Sequence, residues 1–139
     1  MKAEELRIGN IVSRKFFNPN PKNPAYEYEN CIVKGIGLVK VNITTGLNRN
    51  EILKLDYEFL KPVELTEEWL LKFGFKKIEE DFYSIKTKKQ YVALEVSIKE
   101  KRTILYKKSG GFSDVLFTKH VHLLQNLYQS ICEIELTIK

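Results

Sequence analysis

One stretch near the middle of the chain constrains the fold most: Leu65-Thr66-Glu67-Glu68-Trp69-Leu70-Leu71-Lys72-Phe73-Gly74-Phe75. It reads as a short helix with both ends marked. The Thr66 hydroxyl is placed to cap the free amides of the first turn. Glu67 and Glu68 follow at the positive end of the helix dipole. Leu65 before the cap and Leu70 after it have the spacing of a hydrophobic staple. Gly74 ends the helix because it adopts the left-handed conformation cheaply, and Phe75 folds back on the last turn. Trp69 and Phe73 lie one turn apart on one face. That face either binds a partner or packs as a core helix bridging two halves of the fold. Large aromatics dominate cores, so the core reading is preferred.

Short β patterns lie ahead of this helix. Leu6-Arg7-Ile8-Gly9-Asn10-Ile11-Val12 alternates around a Gly-Asn pair that marks a turn or bulge, and Phe16 and Phe17 extend it. Asn18-Pro19-Asn20-Pro21-Lys22-Asn23-Pro24 is a loop, since three prolines remove amide donors and fix φ. We read it as a mobile surface loop. Tyr26 to Glu29, Cys31 to Val41 and Glu51 to Leu55 are strand patterns, with Gly35 and Gly37 marking a bulge or tight bend. So many short strands with glycine turns predict a small SH3-like β-barrel or curled sheet.

Behind the helix, Phe82–Lys86, Gln90–Ile98 and Arg102–Lys107 predict an antiparallel β-meander. Val92, Leu94, Val96 and Ile98 share one face of its middle strand, as in a half-buried strand. Ser109-Gly110-Gly111 is a flexible turn and lacks the phosphate-loop pattern. A helix from about Thr118 to Cys132 follows. Val121, Leu124, Leu127, Tyr128 and Ile131 form its apolar stripe, with His122, Gln125, Asn126 and Gln129 off it. Ile134, Leu136 and Ile138 alternate as a terminal strand. The fold class is therefore α+β. Residues 1–63 form a small β-barrel-like unit and residues 64–139 an α-β-β-β-α unit, with one compact domain overall as the alternative.

Charge separates the two halves. The net charge is +5, and the region from Lys76 to Lys108 holds ten Lys or Arg against five acids. The whole excess sits there. A localised basic patch favours phosphate-rich or acidic partners. It is also the composition of a solvated sheet face whose lysines protect edge strands, and that reading is preferred. Lys86, Lys88, Lys89, Tyr91, Lys101, Arg102, Tyr106 and Lys107 are the candidate nucleic-acid contacts, because tyrosines interleaved with lysines on a sheet resemble a base-stacking platform. Tyr83 lies on the same sheet. Against the reading, lysines outnumber arginine nine to one there, and arginine is the better phosphate fork.

Catalytic and metal signals are weak. His120 and His122 are the only histidines. On a helix, positions i and i+2 point about 200° apart and cannot share a metal. No nucleophile stands in a matching setting, and Asp114 near His120 in sequence adds little. Glu79-Glu80-Asp81 is an acidic turn that could hold a cation but reads more simply as solvated. No cofactor is expected. Cys31 and Cys132 form no C-x-x-C, and we expect both reduced and buried in a cytoplasmic setting. No apolar run approaches a membrane span, and the first residues lack the apolar core of a signal peptide.

Three stretches together resemble a family of short uncharacterised proteins from Bacteroidetes genomes, their phages and mobile elements. They are Leu6-Arg7-Ile8-Gly9-Asn10-Ile11-Val12, Leu65 to Phe75, and Val121-His122-Leu123-Leu124-Gln125-Asn126-Leu127-Tyr128. The family reads L-R-I-G-N-x-V, L-T-E-E-W-L-L-K-F-G-F and V-H-x-L-Q-N-L-Y. This chain departs from it in the proline loop 18–24 and at Leu123. The resemblance implies a cytoplasmic accessory protein, in the host cytoplasm if phage-encoded, that binds another macromolecule and carries no established catalysis. A host protein is the expected partner. Nucleic acid on the Lys/Tyr sheet is the alternative.

Overall fold

A computed structural model of the chain describes residues 1–87, 91–107 and 110–139, with only the backbone of residues 91–92 and 112–114. The chain divides into two compact units, Met1–Val63 and Glu64–Lys139.

In the first unit the strands are β1 (Ile11–Asn18), β2 (Ala25–Ile36), β3 (Lys40–Thr44), β4 (Ile52–Asp56) and β5 (Leu60–Lys61). They lie in the order β4-β3-β2-β1-β5. The proline-rich residues 19–24 turn β1 into β2, whose register runs from Ile11↔Ile32 to Asn18↔Ala25. Leu6 to Asn10 are not the strand that the alternation suggested. The Arg7 amide donates to Asn10 Oδ1 at 2.8 Å, and Gly9 sits at φ 96°, so the Gly-Asn pair makes a turn. The predicted bulge falls between Val33 and Gly35, where the β2–β3 register shifts. A side chain at Gly35 would meet Asn42 Nδ2 at 3.0 Å. Beyond the bulge, β2 continues into the β3–β4 part of the sheet, so one long strand serves both halves. Val12, Cys31, Val33, Val41, Ile43 and Leu60 pack with Leu6 as this unit's core. Burying each such aliphatic side chain is worth about 1.5–3 kcal/mol. No ladder joins β4 to β5, so the sheet is bent but not a closed barrel.

The second unit holds α1 (Glu67–Lys72), β6 (Lys76–Glu79), β7 (Phe82–Lys86), β8 (Tyr91–Ser97), β9 (Arg102–Lys107), β10 (Phe112–Phe117) and α2 (Val121–Cys132). Its sheet is an antiparallel meander, β10-β9-β8-β7-β6. Three of its strands were legible in the sequence. The outer two, β6 and β10, were not. An isolated antiparallel bridge between Glu64 and His120 holds the starts of the two helices together, with the Leu65 amide donating to Lys119 O at 3.0 Å.

The register pairs Tyr83 with Val96, Leu94 with Leu105 and Val96 with Thr103, so these side chains share one sheet face, and all are buried. Trp69, Leu70 and Phe73 from α1 and its cap, and Val121, Leu124, Tyr128 and Cys132 from α2, supply further buried side chains. With the buried sheet face they make up the core of the second unit. Trp69 and Phe73 stack in a tilted pair with centroids 5.9 Å apart. Trp69 and Phe73 are both buried, so this aromatic face is part of a core rather than an open surface.

Three local expectations need correction. Thr66 is the N-cap residue of α1, but its side chain makes no capping bond. In α2 the buried face is rotated from the predicted stripe. His122 and Gln125 are buried, while Leu127 and Ile131 are only half-buried. Residues after α2 form no strand. The tail instead runs beside the helices: Gln125 Nε2 donates to Leu136 O at 3.2 Å, and the Lys139 amide donates to Lys72 O at 2.8 Å. Leu136, 2% exposed, anchors it. That docked tail explains why Gln125 turns inward. No helix among the described residues is long and apolar enough to cross a membrane.

Candidate binding surfaces

The other face of the second sheet follows from the same register. Lys86 lies opposite Ala93 and Ala93 opposite Tyr106; Ser84, Glu95, Ile104 and Val115 form the next row; Phe82, Ser97, Arg102 and Phe117 form the third. Of the residues expected to bind nucleic acid, Lys86, Arg102 and Tyr106 share this face. Lys107 follows Tyr106 along β9 and so alternates to the opposite side. Lys101 sits in the β8–β9 turn at φ 54°. Lys88 and Lys89 lie outside the described residues, as does the side chain of Tyr91. Tyr83 is 2% exposed and belongs to the core face, so it offers no stacking surface.

Among the described residues this face also carries an acid. Glu95 occupies its middle row. Burial raises the Tyr106 phenol above its usual range, and the Glu95 carboxylate beside it adds to the rise. Arg102 pairs with Glu100. Among the described residues, Lys86, Arg102 and Tyr106 therefore share this face with Glu95. Period-2 geometry sends alternate residues to opposite faces, which sequence order alone conceals.

The acidic turn has a structural role. Asp81 adopts φ 70° in the β6–β7 connection. Ser97 Oγ donates to its Oδ2 at 2.5 Å and the Lys99 amide to its Oδ1 at 2.6 Å. Partial desolvation raises the carboxyl's pKa, but these donors outweigh it and hold it below the usual value. Asp81 is thus committed to the β8–β9 turn, while Glu79 and Glu80 are exposed.

His120 and His122 come together, contrary to the helical expectation. His120 is the extended N-cap residue of α2, so the two rings stack with centroids 5.7 Å apart and planes 15° off parallel. No group of three or more His, Cys, Asp or Glu among the described residues is placed to hold a metal. The Asp114 side chain lies outside the described residues. Both cysteines are buried and unbridged. Cys31 Sγ–H donates to Val12 O at 3.5 Å, and burial pushes its thiol up to about 12.

Two surfaces stand out that sequence reasoning missed. The first is the β10 edge. Its residues Val115, Leu116 and Phe117 are 45%, 40% and 85% exposed. The opposite edge, β6, reads Lys-Lys-Ile-Glu and is protected by charge. The second lies on the β1–β2 hairpin of the first unit. There Lys15 pairs with Tyr28 and Phe17 with Tyr26, and Lys61 of β5 joins the same face through its pairing with Ser13. Lys61 Nζ sits 3.4 Å from the Tyr28 ring centroid and Lys15 Nζ 4.5 Å from that of Tyr26. The available signal was the alternation Lys15-Phe16-Phe17 and Tyr26-Glu27-Tyr28, which puts rings and acids on opposite faces once the hairpin register is known.

Compared with protein-family models, with curated proteins and with solved structures, the chain matches none of them.

Proposed function

We propose that this protein is a non-enzymatic accessory protein that acts by binding another macromolecule, and that its partner is a protein. The observation that carries the reading is the asymmetry of the second sheet's edges. A strand edge offers unpaired N–H and C=O groups to any extended segment that meets it. On β6 three of four residues are charged, which discourages such pairing. On β10 three consecutive exposed apolar residues, Val115, Leu116 and Phe117, do the opposite. An extended peptide with apolar residues at alternate positions fits this edge as an added strand. Main-chain hydrogen bonds then supply affinity and side-chain pockets specificity.

The resemblance to phage and mobile-element proteins supports a host protein as the source of that segment, met in the host cytoplasm. The first unit supports a binding-module reading as well. Its order β4-β3-β2-β1-β5, its long β2 and the 3-10 turn Tyr57–Phe59 before β5 are the features on which we read it as SH3-like. The alternative, nucleic acid on the Lys/Tyr-rich sheet, retains Lys86, Arg102 and Tyr106 on one face but has Glu95 between them.

The test is affinity capture from bacterial host lysate with the full chain and with a Leu116→Lys/Phe117→Lys variant. Both positions are exposed, so the variant should fold. The reading predicts a specific protein captured by the parent and lost by the variant. Capture of nothing specific, or equal capture by both, contradicts it. Concentration-dependent dimerisation abolished by the variant would assign the edge to a second copy instead.

A further inference from the structure

The exposed end of the β1–β2 hairpin carries an inference independent of the β10 edge. We propose that it is a stacking platform for single-stranded nucleic acid. Phe17, Tyr26 and Tyr28 share one sheet face and are 53%, 64% and 49% exposed. Phe17 and Tyr26 meet edge to face at 5.4 Å, which fixes their relative orientation without covering them. Three large rings held in water on one hairpin face form a ready surface for flat partners.

Charge on the hairpin is sorted by face. Lys15 and Lys61 stand among the rings. The acids of β2, Glu27 and Glu29, point to the opposite face. There Arg14 holds Glu29 at 2.5 Å, and Asn18 Nδ2 donates to Glu27 at 3.2 Å. Within the register of β1, β2 and β5 no acidic residue shares the ring face. The surface therefore complements a partner that is planar and anionic together. An acidic peptide supplies the charge but not three planar faces. A nucleic acid supplies both.

Spacing selects the single strand. Tyr26 and Tyr28 are two residues apart, a step of about 6.6–6.8 Å along a strand. Stacked bases on one strand of a duplex rise about 3.4 Å each. Successive bases must part to reach successive rings, and in a duplex their faces are already occupied. A single strand parts them readily. As a base takes the ring face, the ammonium resting there moves out to its phosphate, replacing a cation–π contact with an ion pair. The Lys/Tyr-rich sheet of the second unit has no part in this.

Fluorescence anisotropy tests it, using labelled oligo-dT and oligo-U of about 16 nucleotides, and a duplex of the same length, titrated with the full chain at two salt concentrations. The single strands should bind better than the duplex. Affinity should fall with salt at a log–log slope near −1.4, about 0.7 for each of two lysine contacts. Phe17→Ala, Tyr26→Ala and Tyr28→Ala should each weaken binding roughly tenfold. Their circular dichroism should match the parent, since exposed rings hold no core. A Lys86→Glu/Arg102→Glu variant should bind like the parent. No single-strand binding at low salt, duplex binding as tight as single-strand binding, or ring variants that bind like the parent would each overturn the proposal. Loss of binding in the Lys86→Glu/Arg102→Glu variant alone would move the site to the second sheet.

Discussion

Cys31 and Asp81 show how individual residues are committed to the fold rather than to chemistry. Cys31 is fully buried and its thiol is raised to about 12. It should resist aromatic disulfide reagents in the native protein at pH 8 and react only on unfolding; rapid native labelling of Cys31 would contradict the packing described. Its linkage has a definite sign. Because the folded state keeps the proton to higher pH than the unfolded state, this group favours folding below its usual value and loses that contribution as pH rises towards 12. Asp81 has the opposite sign. Its folded value is depressed, so its contribution is present above the ordinary carboxylate range of about 4 and is lost as pH falls through the folded value. Asp81→Asn should cost about 1 kcal/mol in urea unfolding at pH 7. The gap between variant and parent should narrow on acidification below about pH 4. A gap that stays constant would remove the charge from the account. The acidic run was legible in the sequence, but its use was not, because Ser97 and Lys99 lie on another hairpin.

Among the elements, α1 is where the sequence spoke most clearly. Gly74 sits at φ 90°, its amide donates to Leu71 O, and the Phe75 amide donates to Leu70 O, both at 3.0 Å. These are the two paired bonds of a Schellman stop. Gly74→Ala should therefore destabilise the protein by about 1–2 kcal/mol, and calorimetry reads the fall in Tm. Thr66→Ala should change stability by under about 0.5 kcal/mol, since the cap bond it would remove does not form. The helix end at Glu133 reverses the argument. That residue is left-handed at φ 58° without being glycine, so Glu133→Gly should raise stability by about 0.5–1 kcal/mol. A drop in Tm for this variant would show that the Glu133 side chain matters more than its backbone. The strands β6 and β10 were illegible for physical reasons. β6 is a charged edge with no buried residue, so it carries no alternation to read. β10 follows two glycines and meets β9 through a shifted register. The α2 stripe was misread because periodicity cannot know that the tail beyond Cys132 docks through Leu136 and draws Gln125 inward.

For the whole molecule, the α+β class and the placement of a helix between two β-rich stretches could be read from hydrophobic period and turn residues. Strand order could not, since β5 joins β1 across the length of the first unit and no local pattern announces that pairing. The binding surfaces were hidden for the same reason. Composition located the positive charge, but pairing decides which lysines meet which rings, and it put the clearest lysine–aromatic surface on the β1–β2 hairpin rather than on the Lys-rich sheet. The central claim is that the protein works by offering the β10 edge to an extended segment of a partner protein. Amide hydrogen exchange, followed by mass spectrometry on the free chain and on the chain bound to its captured partner, tests it most directly. The account predicts new protection concentrated in peptides spanning Phe112–Phe117, with the β6 edge unchanged. Protection that leaves β10 as it was and appears elsewhere would contradict it.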